Sequence, residues 1–399
     1  MNLDNNCTQV SCHTLVAGGG VAGVAAAVAS ARKGMKTVLI EKENFLGGLA
    51  HRAMLNSICG LYLNGPDFPQ ATLNDGICAE VATALMGMSA SSKIVKVGKV
   101  YLLTYPRGNL ERVLEDLCAR EPNLQVMRDA LADSVRFRDG NINHVEAISS
   151  SQGPIRIAPK AVVDCTGTGN MAYLAGAALY LPDHSRQLAA YAVRLQGAVD
   201  PAEPLGVKVA YHLARGAVDR RFPNAFRFTH FTPGDPDEES LLKFSVDTTE
   251  ANYQSGKIAE FVEEAIHYLS DKIPSFASLE VSAISDGVVE REEGAIVGEY
   301  TLTEDDILSA RKFHDGVAKN SWPMEIWDRH NGPTYDYLPD GACYEIPARC
   351  LKALGMNNLF CGGRIVSATG RAFASTRVMG ACLATGEQAG ILAASCGTG

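Results

Sequence analysis

A glycine-rich turn between a short apolar strand and a helix constrains this chain more than any other feature. Residues 13–17 predict a strand, Gly18-Gly-Gly20-Val-Ala-Gly23 follows at once, and a helix is predicted from Val21 to Lys33. A second strand, residues 37–40, runs into Glu41. Strand, glycine turn, helix, strand and acid within about thirty residues form the unit that binds a dinucleotide.

Each glycine of the turn has a predicted role. Gly18 permits the tight turn, Gly20 lets the backbone approach a pyrophosphate, and Gly23 lets helix and strand pack closely. The first helical residues, Val21 and Ala22, supply N–H donors for the phosphates.

The acid that ends the second strand selects among dinucleotides. Glu41 stands 18 residues after Gly23, where a carboxylate accepts hydrogen bonds from the ribose hydroxyls and repels a 2′-phosphate. The unit therefore predicts FAD or NAD and disfavours NADP.

Two later segments favour FAD. An apolar strand from Lys160 to Asp164 runs into Cys165-Thr166-Gly167, and a strand from Asn358 runs into Gly362-Gly363-Arg364. A helix rich in small residues then extends to Gly390. The first segment is similar to the apolar strand ending in Ala-Thr-Gly of glutathione reductase-class flavoproteins, in which the last strand and the next helix N-terminus lie at the flavin ring.

With these segments the chain resembles the FAD-dependent oxidoreductases of the FAD_oxidored type, within the wider glutathione reductase group. The resemblance covers most of the chain and rests on Gly18 to Gly23, Glu41-Lys42, Gly47-Gly48, Cys165 to Gly167, Arg291-Glu292, Ile296 to Thr303, Gly363-Arg364 and Ser375 to Met379. It implies a flavin, covalent or not, whose ring lies between a nucleotide domain and an inserted substrate domain. The residues it assigns to FAD are Gly18, Gly20, Val21, Ala22, Gly23, Glu41, Lys42, Gly48, Thr166, Gly167, Gly363, Arg364, Arg377 and Val378.

The resemblance also implies the fold class. We expect an α/β protein with a Rossmann-like three-layer FAD-binding domain, residues 1–182 and 341–399, and an inserted α+β substrate domain, residues 183–340. Within the insert, Gln187 to Gln196 predicts a strand and Lys257 to Leu269 an amphipathic helix.

The chain departs from the family at three places. His51 replaces a small residue or Thr, Gly294-Ala295 replace two arginines, and Gly370-Arg371 replace His-Glu. The flavin framework is therefore kept while the substrate-facing polar residues are changed.

Five residues are candidates for catalysis: Arg377, His51, Cys59, Arg291 and Arg371. Family position suggests that Arg377 neutralises the anionic reduced flavin, with a helix N-terminus; the alternative is a surface arginine that caps a helix. His51 is a general base, a covalent tether to the flavin, or a histidine without a role.

Two of the other three candidates have equally plain alternatives. Cys59 lies in a glycine-rich polar loop of the kind that lines sites, but cysteine is commonly just buried. Arg291 suits bidentate binding of a substrate carboxylate, or a structural ion pair with Glu292. Arg371 is an anion binder near the ring, since it replaces a family acid.

Composition excludes several classes of function. The formal charge of −9, without a basic run, argues against nucleic acid as a partner. No signal peptide or uninterrupted apolar span is present, so a cytoplasmic protein without a membrane span is expected. The eleven cysteines lack metal-binding spacing, and no metal is predicted.

The sequence thus predicts hydride transfer between a small organic substrate and FAD. No second GxGxxG follows Gly23, so the sequence does not identify the electron acceptor or donor. A protein partner is one of the candidates. The alternatives are a non-catalytic or electron-relay flavoprotein subunit and an FAD monooxygenase, which is disfavoured because Gly363-Arg364 replaces the usual Gly-Asp.

Overall fold

The computed structural model describes residues 7–180, 187–200, 202–234, 239–250 and 253–397. Within these ranges the helices are α1 (Val21–Arg32), α2 (Leu49–Arg52), α3 (Ile77–Met88), α4 (Asn109–Ala119), α5 (Asn170–Leu174), α6 (Leu205–Val218), α7 (Ser255–Lys272), α8 (Glu304–Leu308), α9 (Gly370–Thr376) and α10 (Met379–Ser395). The strands are β1 (Thr8–Ser11), β2 (Thr14–Ala17), β3 (Thr37–Ile40), β4 (Ser57–Cys59), β5 (Lys93–Val97), β6 (Val100–Thr104), β7 (Leu124–Met127), β8 (Ala130–Arg138), β9 (Asn141–Ser149), β10 (Gly153–Ala158), β11 (Ala161–Asp164), β12 (Leu179–Tyr180), β13 (Ala189–Gln196), β14 (His230–Thr232), β15 (Ser240–Val246), β16 (Glu280–Ile284), β17 (Ala295–Ile296), β18 (Gly316–Asn320), β19 (Met324–Asp328), β20 (Gly332–Asp336), β21 (Tyr344–Pro347) and β22 (Leu359–Cys361).

A five-stranded parallel sheet forms the centre of the molecule. Its strand order is β22-β11-β2-β3-β7, with Leu15 opposite both Val38 and Val162. Every residue of β2, β3 and β11 is buried, as expected for parallel strands covered on both faces. Helix α1 connects β2 to β3, which confirms the predicted strand, turn, helix and strand.

The two faces of this sheet contact different layers. Leu15 and Val38 pack in one core with strands β9 and β10 of the four-stranded sheet β1-β10-β9-β8. Val16 and Leu39, which point the opposite way, pack in another core with helices α1, α4 and α10. The predicted three-layer α/β architecture is confirmed.

Close packing of two helices fixes the position of α10. A Cβ on Gly386 would overlap the carbonyl oxygen of Ala22, and one on Gly390 would overlap that of Ala26. Only glycine lets α10 approach the α1 backbone this closely, so the small residues of α10 align its N-terminal half with the start of α1.

A third core lies between residues 189 and 279. Sheet β14-β15-β13-β16 packs there with α6 and α7, and β13 and α7 confirm the predicted strand and helix. Residues 181–186, which include the predicted domain boundary at 182/183, lie outside the described ranges. Ala318 and Met324 pack in the helix-side core of the parallel sheet, and the boundaries 183 and 340 stay a prediction.

The described ranges contain no helix with both the length and the apolarity needed to cross a bilayer. In the same ranges no group of three or more His, Cys, Asp or Glu side chains is arranged to hold a metal ion. All eleven cysteines are free. The cytoplasmic location stays a prediction.

Candidate cofactor cradle and active site

The glycine turn brings backbone groups so close together that a side chain would not fit between them. Gly18 has φ +98°, and a Cβ there would lie 2.5 Å from the carbonyl oxygen of Cys165. A Cβ on Gly23 would overlap the carbonyl oxygen of Gly18. The predicted tight turn and close packing are both present.

The start of α1 is open toward one side. Gly20 is its N-cap, no side chain caps the helix, and a Cβ on Gly20 would meet nothing within 4 Å. Gly48 lies beside it, since its Cβ would be 3.0 Å from the Cα of Gly20. N–H groups at an uncapped helix start attract an anion, so Gly20, Val21 and Ala22 are arranged to hold a pyrophosphate.

Glu41 is buried at the end of β3, 6% exposed, beside this turn. Its carboxylate accepts hydrogen bonds from the N–H groups of Gly19, at 2.5 Å, and Glu43, at 2.9 Å. These bonds fix its orientation and leave further lone pairs for ribose hydroxyls. The Lys42 side chain instead points to solvent, with its Nζ 3.8 Å from Glu43 Oε1. This orientation does not support the predicted contact between Lys42 and the cofactor, which stays a prediction.

Two further glycines enclose the cradle. A Cβ on Gly363 would lie 2.8 Å from the Cβ of Ala22, and a Cβ on Gly167 would lie 2.7 Å from Nη2 of Arg364. Thr166 is held by Asp164, which accepts from its backbone N–H at 3.0 Å and its hydroxyl at 2.7 Å. Arg364 lies against the Gly167 turn, donates to the Glu290 carbonyl at 3.3 Å and has the Glu293 carboxylate 3.8 Å away.

A group of buried charges lies at the N-terminal end of α10. Arg377 follows α9 and Val378 is the N-cap of α10. We use "charge cluster" for Lys243 on β15, Arg291 before β17, Glu325 on β19 and Arg377. Lys243, Arg291 and Glu325 all contact Trp327, and Arg377 donates to the backbone carbonyl of Glu325.

Two indoles hold the carboxylate of the charge cluster. Trp327 Nε1 donates to one oxygen of Glu325 at 2.8 Å, and Trp322 Nε1 donates to the other at 3.2 Å. The Trp327 ring contacts the Arg291 guanidinium at 4.1 Å from its centroid and the Lys243 ammonium at 5.1 Å. Trp327 thus contacts the carboxylate through its N–H group and two of the cations through its ring.

Several donors of the charge cluster have no acceptor in the part of the chain that the structure describes. Arg291 donates from Nε to the Leu188 carbonyl at 2.8 Å, while its Nη2 is buried and has no hydrogen-bond partner there. Arg377 donates from Nη2 to the Glu325 carbonyl at 3.1 Å, while its Nε has no partner among the same residues. Among the described residues the Lys243 ammonium has no hydrogen bond and no ion pair within 4 Å.

The pKa values reflect this excess of positive charge. Burial, reinforced by Arg291, lowers the pKa of Lys243 to about 8. Burial, reinforced by Arg377, lowers the pKa of Arg291 to about 9. Burial raises the pKa of Glu325, but Arg377, Arg291 and Lys243 outweigh it and the net shift is downward. Near neutral pH the cluster is therefore mostly three cations and one carboxylate.

Cys59 lies at the end of β4, next to the charge cluster. Its neighbour Gly60 packs against Val378, since a Cβ on Gly60 would be 2.5 Å from Val378 Cγ2. Burial raises the pKa of the Cys59 thiol to about 12, so the thiol is protonated at neutral pH. A thiolate nucleophile is disfavoured there, and a catalytic role for Cys59 stays an untested prediction.

His51 lies outside the charge cluster. Its ring stacks on Phe45 with a centroid distance of 4.0 Å, and its Nδ1 lies 3.1 Å from Glu111 Oε1. The side chain is 45% exposed. These contacts account for its orientation, while its proposed roles as base or tether stay predictions.

Arg371 is already paired with two carboxylates. It contacts Asp336, and its Nε lies 3.2 Å from Glu304. It lines an open cavity of about 300 Å³ together with Gln187 and Glu292. Arg371 as an anion binder stays a prediction, against which its two acidic partners weigh.

The sequence did not predict that Lys243, Glu325 and the two indoles belong to this site. One signal was available, because the chain has only two tryptophans and they lie five residues apart on either side of Glu325. Lys243 gave no signal of its own, since a lysine between apolar residues of a strand is typical of a solvent-facing position.

Comparison with known proteins supports the flavoprotein interpretation. The family profile described as FAD dependent oxidoreductase matches residues 14–398. No curated protein sequence matches the chain.

The solved structures to which this chain is similar share little sequence with it. A flavoprotein/dehydrogenase from Cytophaga hutchinsonii aligns over 96% of this chain and 78% of its own, with 13% identity and a TM-score of 0.50. A geranylgeranyl bacteriochlorophyll reductase-like protein from Thermoplasma acidophilum aligns over 97% and 77%, with 14% identity and a TM-score of 0.49. The p-nitrophenol 4-monooxygenase PnpA from Pseudomonas putida aligns over 91% and 74%, with 11% identity and a TM-score of 0.43.

Proposed function

Because the chain belongs to the FAD dependent oxidoreductase family, we propose that it transfers a hydride between a small organic substrate and FAD. The observation that carries the proposal is the path of α10, which packs on the start of α1 through Gly386 and begins beside the charge cluster. Gly386 follows Met379 by seven helical positions, which is about 10 Å at 1.5 Å per residue. The start of α1 would hold the pyrophosphate of FAD, and the residues at the start of α10 would lie toward its ring.

The residues of the cradle fit the ADP part of the cofactor. The open side of Gly20 and the uncapped start of α1 suit the pyrophosphate. Glu41 suits the ribose, and Gly363 packs against Ala22 at the start of α1. Bound FAD would supply the hydride chemistry itself.

The charge cluster would then bind and orient the substrate. Arg377 and the N-terminus of α10 place positive potential at the proposed ring position, which favours the negative charge of a reduced flavin. The protonated Cys59 thiol adds no charge next to the cluster. The protein thus contributes position and electrostatics.

Anaerobic spectroscopy of the FAD-loaded protein tests this proposal. The bound flavin is first photoreduced, and candidate small molecules are then added to the reduced and to the oxidised protein. Hydride transfer predicts a stoichiometric change of the flavin spectrum with at least one small molecule and no oxygen requirement.

Two other outcomes identify the alternatives. A flavin that responds only to a co-purifying protein indicates an electron-relay subunit. Incorporation of an oxygen atom from O₂ into the product indicates a monooxygenase. Either outcome contradicts the proposal.

A further inference from the structure

We infer that Lys243 and Arg291 bind a carboxylate group of the substrate, an inference that rests on the proposed function and names its substrate class. Three cations and one carboxylate leave the charge cluster with an excess of two positive charges. Buried like charges are costly unless an opposite charge compensates them. The residues of the cluster do not balance their own charge, and an anionic group of the substrate would compensate it.

Glu325 does not supply that compensation by direct contact. Both of its carboxylate oxygens accept from tryptophan N–H groups, at 2.8 and 3.2 Å. None of the three cations lies within 4 Å of its carboxylate among the described residues. Glu325 lowers the electrostatic cost of the cations from a distance and leaves their donors available.

The available donors suit a carboxylate. Within the described ranges Arg291 Nη2 is buried without a hydrogen-bond partner, and the Lys243 ammonium lies over the Trp327 ring without a hydrogen bond or ion pair. A planar guanidinium with an adjacent ammonium matches the two oxygens of a carboxylate. Arg377 already donates to the Glu325 carbonyl and lies at the start of α10, so we assign it to the flavin side.

The accessibility of these side chains agrees with ligand binding. Lys243 and Arg291 are only partly exposed, and burial lowers their pKa values. Such side chains lie within the protein for most of their length and do not project from its surface. The two tryptophans of the chain hold Glu325 near them.

Binding of a carboxylate should depend on pH through Lys243. The charged and titratable groups that act on it are Arg291, Glu325, Cys59 and Arg377. With a pKa of about 8 in the free protein, Lys243 loses its charge as the pH rises through 8. Affinity is therefore expected to be full below pH 7 and to fall as the pH rises above 8, and binding near pH 8 should take up a proton.

Tryptophan fluorescence of the FAD-loaded protein provides a readout independent of turnover. Benzoate and succinate serve as probes, with benzamide and succinamide as neutral analogues of the same shape and inorganic phosphate as another anion. The variants are Lys243→Met and Arg291→Gln, and Arg291→Lys retains the charge if Arg291→Gln fails to fold. Lys319→Met and Arg138→Gln are matched controls on exposed side chains.

We expect a saturable fluorescence change with at least one carboxylate and no change with the corresponding amide. The apparent Kd of that carboxylate should be at least tenfold higher in Lys243→Met and in Arg291→Gln than in the wild-type protein. The controls should retain the wild-type Kd. Equal responses to acid and amide, a response to phosphate alone, or unchanged Kd values in both cluster variants would overturn it. If the carboxylates bind but no small molecule changes the flavin spectrum, the proposed function fails while the carboxylate site stands.

Discussion

Replacing Lys243 with methionine should stabilise the protein in the absence of a bound anion. The pKa of Lys243 falls from its ordinary value of 10.5 to about 8 because of burial and the neighbouring Arg291. At about 1.4 kcal/mol per pKa unit, this shift corresponds to roughly 3 kcal/mol of folding free energy. Because solvent reaches part of the side chain, we expect a gain of about 1 to 3 kcal/mol at pH 7.

The pH dependence gives the sign of this effect. The folded-state pKa is lowered, so the unfolded state binds more protons between pH 8 and 10.5 and the wild-type protein gains stability from Lys243 as pH rises through that window. Below pH 8 the full cost of the buried charge is present. The advantage of Lys243→Met should therefore be largest at pH 7 and disappear near pH 10.5.

Urea unfolding of both proteins at several pH values, in buffer without carboxylates, measures this difference. Lys319→Met, on the exposed side of β18, is the matched control and should show no comparable gain. A Lys243→Met protein that is less stable than wild type at pH 7, or a stability difference that is constant with pH, would show that the buried charge of Lys243 does not destabilise the fold.

Three further predictions concern the cradle, the ring end and His51. Gly23→Val should abolish FAD binding, because the new side chain must separate the turn from the helix. Gly20→Ala should keep the fold but weaken FAD binding. Flavin content and thermal unfolding of the apoprotein distinguish the two effects. Arg377→Gln should lower the reduction potential of bound flavin by about 30 mV or more, if about 1.4 kcal/mol of stabilisation of the reduced form is lost; an unchanged potential would place Arg377 away from the ring. Loss of a general base is expected to slow flavin reduction about 100-fold. His51→Ala should slow it far less, because the imidazole is exposed and pairs with Glu111. A loss of about 100-fold would indicate a catalytic role, and flavin that acid releases only from the variant would indicate a tether.

The cofactor cradle was predictable because its information is local. Gly18, Gly23 and Glu41 lie within one strand, turn, helix and strand unit, and each requirement is visible in the residue type alone. The apolar strand before Cys165 and the glycines near Gly363 added the second side of the cradle. The structure places these segments around the start of α1.

The charge cluster was not predictable as a unit because it is assembled from four distant segments. Arg291 and Arg377 were chosen by family position, but nothing in the sequence brings them near Lys243 or Glu325. Lys243 alternates with the buried residues Leu242 and Phe244, which normally indicates a solvent-facing side chain. Here that face of β15 is covered by another part of the chain that carries Trp327.

The most direct test of the account is anaerobic mixing of the FAD-loaded protein with a carboxylate that binds at the charge cluster and carries an oxidisable C–H bond. We predict that the flavin absorbance bleaches, that the rate saturates with the concentration of the acid, and that the matched amide gives no bleaching at the same concentration. In Arg291→Gln the concentration for half-saturation should rise at least tenfold. Bleaching by the amide at the same rate, or bleaching only by a protein partner, would contradict the account.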